Sequence, residues 1–78
     1  MREKLNAYFE KEYQATVDFL ENPPKWGRTR EKKMDTIHRS VNRCLGAAMF
    51  AQELGLPYED IEAYNDFLAR FRKLLLDI

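Results

Sequence analysis

Residues 51–64 read AQELGLPYEDIEAY, and this stretch decides the fold. Gly55 follows a long run of helical periodicity, and glycine is the residue that most easily takes the left-handed conformation just past a helix end. Two positions later, Pro57 suits the first position of a new helix, because its ring presets φ and its missing N–H has no helical partner to lose there. The stretch therefore predicts a helix that ends at Leu54, a connection of about three residues, and another helix from Pro57 onward. A connection that short favours antiparallel neighbours.

Working outward from this turn gives three helices. Upstream, Thr29 suits the N-cap of a helix over 30–54, with Glu31 placed in the first turn where the helix dipole favours a carboxylate. Asp35 is an alternative cap that would give a later start. The apolar stripe of this helix reads Met34, Ile37, His38, Val41, Cys44, Leu45, Ala48. Downstream, 57–77 carries Ile61, Tyr64, Phe67, Leu68, Phe71, Leu74 and Leu75, with Ile78 following, on a stripe about 140° wide. A first helix over 2–21 gathers Leu5, Tyr8, Phe9, Tyr13, Thr16, Val17, Phe19 and Leu20 on one half of its wheel. Pro23 and Pro24 end it, since neither can donate a backbone hydrogen bond and each restricts the residue before it. The loop PPKWGRT follows. The expected fold is all-α, an antiparallel three-helix bundle forming one domain over 1–78. Its expected core is Leu5, Phe9, Leu20, Val41, Leu45, Ile61, Leu68 and Phe71.

Size and charge narrow the possibilities. A chain of 78 residues buries roughly 60–65% of its unfolded surface, which makes a thin core. Such chains often gain from disulfides, metals or self-association. The sequence holds one Cys and one His, so an internal disulfide is impossible and a structural zinc site is not expected. The formal net charge of zero hides a segregation: residues 1–22 carry −2, residues 25–43 carry +5 and residues 44–78 carry −3. A basic middle between acidic ends can attract a second copy, or offer one patch to an anion. The charged start MREKLNAYFE does not read as a secretion signal, and no apolar run approaches ~18 residues. A lone cysteine suits a reducing cytoplasm.

No catalytic constellation emerges. His38 and Cys44 lie on one helix about 9 Å apart along its axis and about 120° apart in direction, so they cannot act as base and nucleophile. There is no Glu-x-x-His pair for a di-iron site, and Gly27, Gly46 and Gly55 form no phosphate cradle. The expectation is a protein that is not an enzyme and needs no cofactor or metal. Glu12 is the one carboxylate whose wheel position falls inside an apolar half. A half-buried carboxylate needs a partner, and Arg43 or Arg72 stands at the right height to supply it.

Ala51, Leu54, Gly55 and Ile61 resemble the helix-turn-helix signature of DNA-reading proteins over about a dozen residues. The resemblance implies a reading helix from Tyr58. That helix offers four carboxylates, Glu59, Asp60, Glu62 and Asp66, before its first cation at Arg70. Phosphate neutralisation supplies most non-specific DNA affinity, and this surface opposes it. The spacing serves the turn rather than a groove in DNA.

Two surfaces remain. KWGRTREKK, residues 25–33, sets Lys25, Arg28, Arg30, Lys32 and Lys33 around Trp26, a composition suited to RNA or single strands. The second is a seam on the middle helix. Thr36, Ser40, Arg43, Ala47, Phe50 and Leu54 recur at spacings of 4, 3, 4, 3 and 4, the heptad step, about 140° from the core stripe. Gly46, Ala47 and Ala51 leave room for another helix to approach. The reading favoured by the sequence is a small cytoplasmic interaction module that binds a protein partner and forms a homodimer, using Arg39, Arg43, Ala47, Phe50 and Leu54. The alternative is a nucleic-acid binder built on residues 25–43. No membrane partner is expected.

Overall fold

The computed structural model describes Arg2–Ile78. Helix α1 spans Arg2–Glu21, a single 3-10 turn covers Lys25–Gly27, and α2 runs Arg30–Glu53. The third arm is one helical turn, α3, over Tyr58–Ile61, followed by α4 over Ala63–Leu76. Glu62 joins α3 to α4 with helical backbone angles, and the Asn65 N–H reaches the Glu62 carbonyl at 2.9 Å, a tightened turn that separates the two segments. The three arms pack mutually in a single-domain bundle of 42 × 19 × 16 Å.

Helix ends follow the local chemistry of the chain. Thr29, not Asp35, caps α2: its extended backbone lets the side-chain oxygen accept the Lys32 N–H at 3.2 Å. At the other end the Gly55 N–H bonds the Gln52 carbonyl, the Leu56 N–H bonds the Ala51 carbonyl, and Gly55 sits at φ 97°. This double bond pattern is the Schellman closure, and it needs a residue free of Cβ strain. Leu56 then folds back on the core. Pro57 stands as the N-cap of α3, so the helix begins at Tyr58, one position later than expected. The first loop is fixed differently. The Phe19 ring lies so close against Gly27 that any Cβ there would run into it.

Helix directions follow from the cross-links. Arg2 pairs with Asp60 at 3.1 Å and Arg70 with Glu10 at 3.3 Å, so α1 and the third arm run parallel. Glu12 pairs with Arg43 while Lys4 and Leu5 lie beside Ala51 and Leu54, which sets α2 antiparallel to both. Aromatic rings fill the α1–α4 seam: Phe9 meets Phe67 and Tyr64 at centroid distances of 5.5 and 5.8 Å, and Tyr13 meets Phe71 edge-on at 5.4 Å. The Arg70 guanidinium lies 4.1 Å from the Tyr13 ring centre and covers this seam from outside.

Leu5, Phe9, Ile61 and Phe71 are buried as their stripes predict, and Leu20, Val41 and Leu68 are half-buried. On α2 the expected stripe holds in part: Ile37, Cys44 and Ala48 are buried, Met34 and Val41 are half-buried, and the buried face is turned toward Ser40 and Ala51. Its buried row is Ile37, Ser40, Cys44, Ala48 and Ala51, whereas Leu45 is 41% exposed and His38 faces outward. The reason is steric. Two helices flank α2, and they approach closest where its side chains are small, so the row of Ser, Cys and Ala turns inward and the larger Leu45 is left at the edge. Ser40, which the heptad spacing assigns to the outer surface, is fully buried. The helix-turn-helix spacing serves this packing: Ala51 and Ile61 are both buried against the turn.

Two substitutions separate core from edge. Phe71→Ala should cost ~3–5 kcal/mol in denaturant unfolding, and Leu45→Ala below ~1 kcal/mol; equal costs would contradict the placement of α2. Gly55→Ala should cost ~1–2 kcal/mol although open space surrounds the new methyl group, because the left-handed backbone alone is strained.

Candidate interaction surface

Two turns of α1 and three of α2 enclose an apolar groove. Lys4, Leu5 and Tyr8 form one wall, Ala47, Phe50 and Leu54 the other, and Ala51 lies between, around a volume of about 270 Å³. Phe50 is 62% exposed and Leu54 is 55% exposed. Leu45 and Met49, one turn apart, add an exposed apolar ridge to the outer face of α2. Between them Gly46 leaves the helix surface open, with nothing near the position a Cβ would take. A contiguous exposed apolar face on a small bundle marks a contact surface more often than isolated residues do.

The seam on α2 is thus divided by its depth. Ala47, Phe50 and Leu54 come together in the groove as the heptad spacing predicts. Ser40 and Arg43 are drawn inward by α1. The Ser40 hydroxyl donates to Glu12 Oε2 at 2.8 Å, and the Arg43 Nε donates to both Glu12 oxygens at 3.0 and 3.1 Å. Thr16 Oγ1 lies 2.7 Å from Ser40 Oγ and 2.9 Å from the Glu12 carbonyl, so it has two acceptors for one proton. This network is what allows a carboxylate with a side chain 17% exposed to sit at a helix seam. Arg43, one of the two candidate partners, supplies the charge. Burial pushes the Glu12 pKa up, but the hydrogen bonds from Arg43 and Ser40 and the guanidinium charge outweigh it and leave the carboxyl below its ordinary value. Arg43 is raised in turn, chiefly by its hydrogen bond to Glu12.

Arg39 pairs with Asp35 at 2.9 Å on its own helix. Both arginines of the expected polar rim are therefore already engaged within the chain. Among the described residues, Lys25, Arg28, Arg30, Lys32 and Lys33 form no ion pair. They do not all line one site. Arg28, Arg30 and Lys33 border a cleft at the far end of the bundle, while Lys25 and Lys32 do not line it. Trp26 packs against Phe19 with ring centres 5.6 Å apart and the planes tilted by 50°, and is otherwise exposed. No family model, no curated protein and no solved structure matches this chain.

Neither His38 nor Cys44 meets a catalytic partner. His38 is exposed, whereas burial, with the charge of Glu12 behind it, pushes the Cys44 thiol up to about 11. A thiol held protonated in this way is a packing residue at neutral pH. No group of three His, Cys, Asp or Glu side chains able to hold a metal occurs among the described residues.

Sequence reasoning missed Lys4 and Tyr8 as groove residues, and Leu45 and Met49 as its neighbours. Tyr8 stands next to Phe9 and three residues after Leu5, which suggests a broad core face. Two adjacent aromatics on one helix cannot both point to the same place, and Tyr8 is the one left over.

The Glu12 network has a testable pH signature. A carboxyl whose pKa falls on folding contributes stability above the ordinary Glu value, about 4.3, and loses it as pH drops through the folded value. Glu12→Gln should cost ~1 kcal/mol at neutral pH, and its deficit against the native chain should shrink in acid. A deficit that stays constant from neutral pH to pH ~3 would mean that the carboxylate charge contributes nothing there.

Proposed function

We propose that this chain is a non-catalytic protein-interaction module that self-associates through α2. The observation that carries the reading is the exposed apolar face of α2, where Phe50 and Leu54 stand in the groove against Tyr8 and Lys4 while Leu45 and Met49 flank open space at Gly46. A chain with so thin a core gains from covering that face. Buried aromatic and aliphatic side chains at the centre of a patch carry most of the energy of an interface.

Charge supports a second copy as the occupant. A two-fold axis passing near Gly46 and Phe50 sets α2 antiparallel to its counterpart. Arg43 of one α2 then stands level with Glu53 of the other. A parallel arrangement would set like charges together.

A regulator, inhibitor or assembly subunit all fit such a module. A cytoplasmic setting suits it, since the one cysteine has no second thiol to pair with; no helix is long and apolar enough to cross a membrane among the described residues. The nucleic-acid reading is the weaker one. Arg39 and Arg43 are paired with Asp35 and Glu12, and Trp26 is the one aromatic in the basic stretch, so the stretch offers a thin stacking platform and fewer unpaired cations.

Sedimentation and light scattering test this directly. The native chain should approach twice the mass of 9.3 kDa at high micromolar concentration, and Phe50→Glu should return it to monomer with its helical circular dichroism unchanged. A native chain that stays monomeric throughout removes the homodimer.

A further inference from the structure

At the end of the bundle away from the groove, the three arms diverge around a cleft of about 480 Å³. Its size lies within the range of small-molecule sites, roughly 300–1,000 Å³. Val17 and Leu20 of α1 and Leu74 and Ile78 beyond the middle of the third arm give it an aliphatic lining. No aromatic residue lines it. Arg28, Arg30 and Lys33 stand on the α2 side, and none of the three has a carboxylate within ion-pair distance among the described residues. Glu21 and Asp77 are also at the rim, one at the end of α1 and the other at the end of α4.

We infer that this cleft binds an aliphatic carboxylate, with the hydrocarbon chain against Val17, Leu20 and Leu74 and the head group on the α2 side against Arg30, Lys33 and Arg28. Three features select this class. The cations outnumber the rim carboxylates and are unpaired among the described residues, so an anionic head gains charge-assisted hydrogen bonds without breaking an existing pair. The rim is polarised by element: the cations belong to the loop and first turn of α2, and the two acids to the C-terminal ends of the other two arms. An anion therefore has one favoured wall. The lining is aliphatic, which accepts a saturated chain through burial of its methylenes but offers no ring on which a nucleobase could stack.

The test is titration of the full isotope-labelled chain with sodium decanoate below its micelle concentration, followed by amide NMR. Saturable shifts are expected at Val17, Leu20, Lys33 and Leu74, with a dissociation constant in the millimolar range or tighter. Decyltrimethylammonium and decanol should shift these amides at least tenfold more weakly, since neither can use the cations. The Arg30→Gln, Lys33→Gln double variant should lose about tenfold in decanoate affinity while keeping its helical signal. The absence of saturable shifts with decanoate would overturn the inference. Equal binding of the cationic or neutral amphiphile would overturn it too, by reducing the cleft to a non-selective apolar surface, and this comparison needs no variant. A single-stranded oligonucleotide that shifts the same amides at lower concentration than decanoate would reassign the cations to nucleic acid and also overturn it.

Discussion

The small residues of α2 are the constraint on which the rest of the molecule depends. Ser40, Cys44, Ala48 and Ala51 form a narrow inward row on a helix that must touch two neighbours along its length. Larger side chains on that row would hold α1 and α4 away from it, and the aromatic rings between them would lose their cover. Close approach has a cost. It buries the Ser40 hydroxyl completely, and a buried hydroxyl must find a partner. Glu12 and Thr16 on α1 meet that need, and Arg43 then meets the need of Glu12. The packing of α2 thus propagates into a chain of polar contacts that also fixes the register of α1 against it.

Much of the fold is legible in the sequence because its signals are local. Pro23 and Pro24, Thr29, Gly55 and Pro57 each bear on a backbone donor or a φ angle within a few residues of their own position, and all three helical arms follow from them. The stripe of the third arm is legible for a different reason: it is wide, strongly apolar and faces two neighbours at once, so no rotation of the helix could misplace it. The stripe of α2 is legible only in part, at Ile37, Cys44 and Ala48. Counting apolar residues weights Leu45 and ignores Ser40, yet which face turns inward is decided by the neighbours' approach distance, a tertiary quantity that favours small side chains. Propensity and periodicity have no access to it.

The candidate surface is legible to the extent that it lies on a single helix. Heptad spacing brings Ala47, Phe50 and Leu54 together whatever the rest of the chain does. Their groove has a second wall on α1, and Lys4 and Tyr8 enter it through a helix pairing that joins positions far apart in the chain. The same limit applies to the arginines. Arg39 and Arg43 look like equal members of a rim because they share a face of α2, but one finds its partner a turn away and the other finds it on α1. The basic stretch behaves likewise: of its run of cations in sequence, Arg28, Arg30 and Lys33 border the cleft and Lys25 and Lys32 do not.

The parallel run of α1 and the third arm has a consequence for how the molecule comes into being. Phe9 is covered by Phe67 and Tyr64, and Tyr13 by Phe71, so the residues that complete the first helix's surroundings are synthesised long after it, across the whole of α2. While the chain is still emerging, α1 and α2 can pair as a hairpin, yet that hairpin presents bare aromatic rings to water and has no second sheltering surface. The nascent protein therefore passes through an interval in which its greasiest residues are on the outside, and the interval closes when Phe71 clears the exit tunnel.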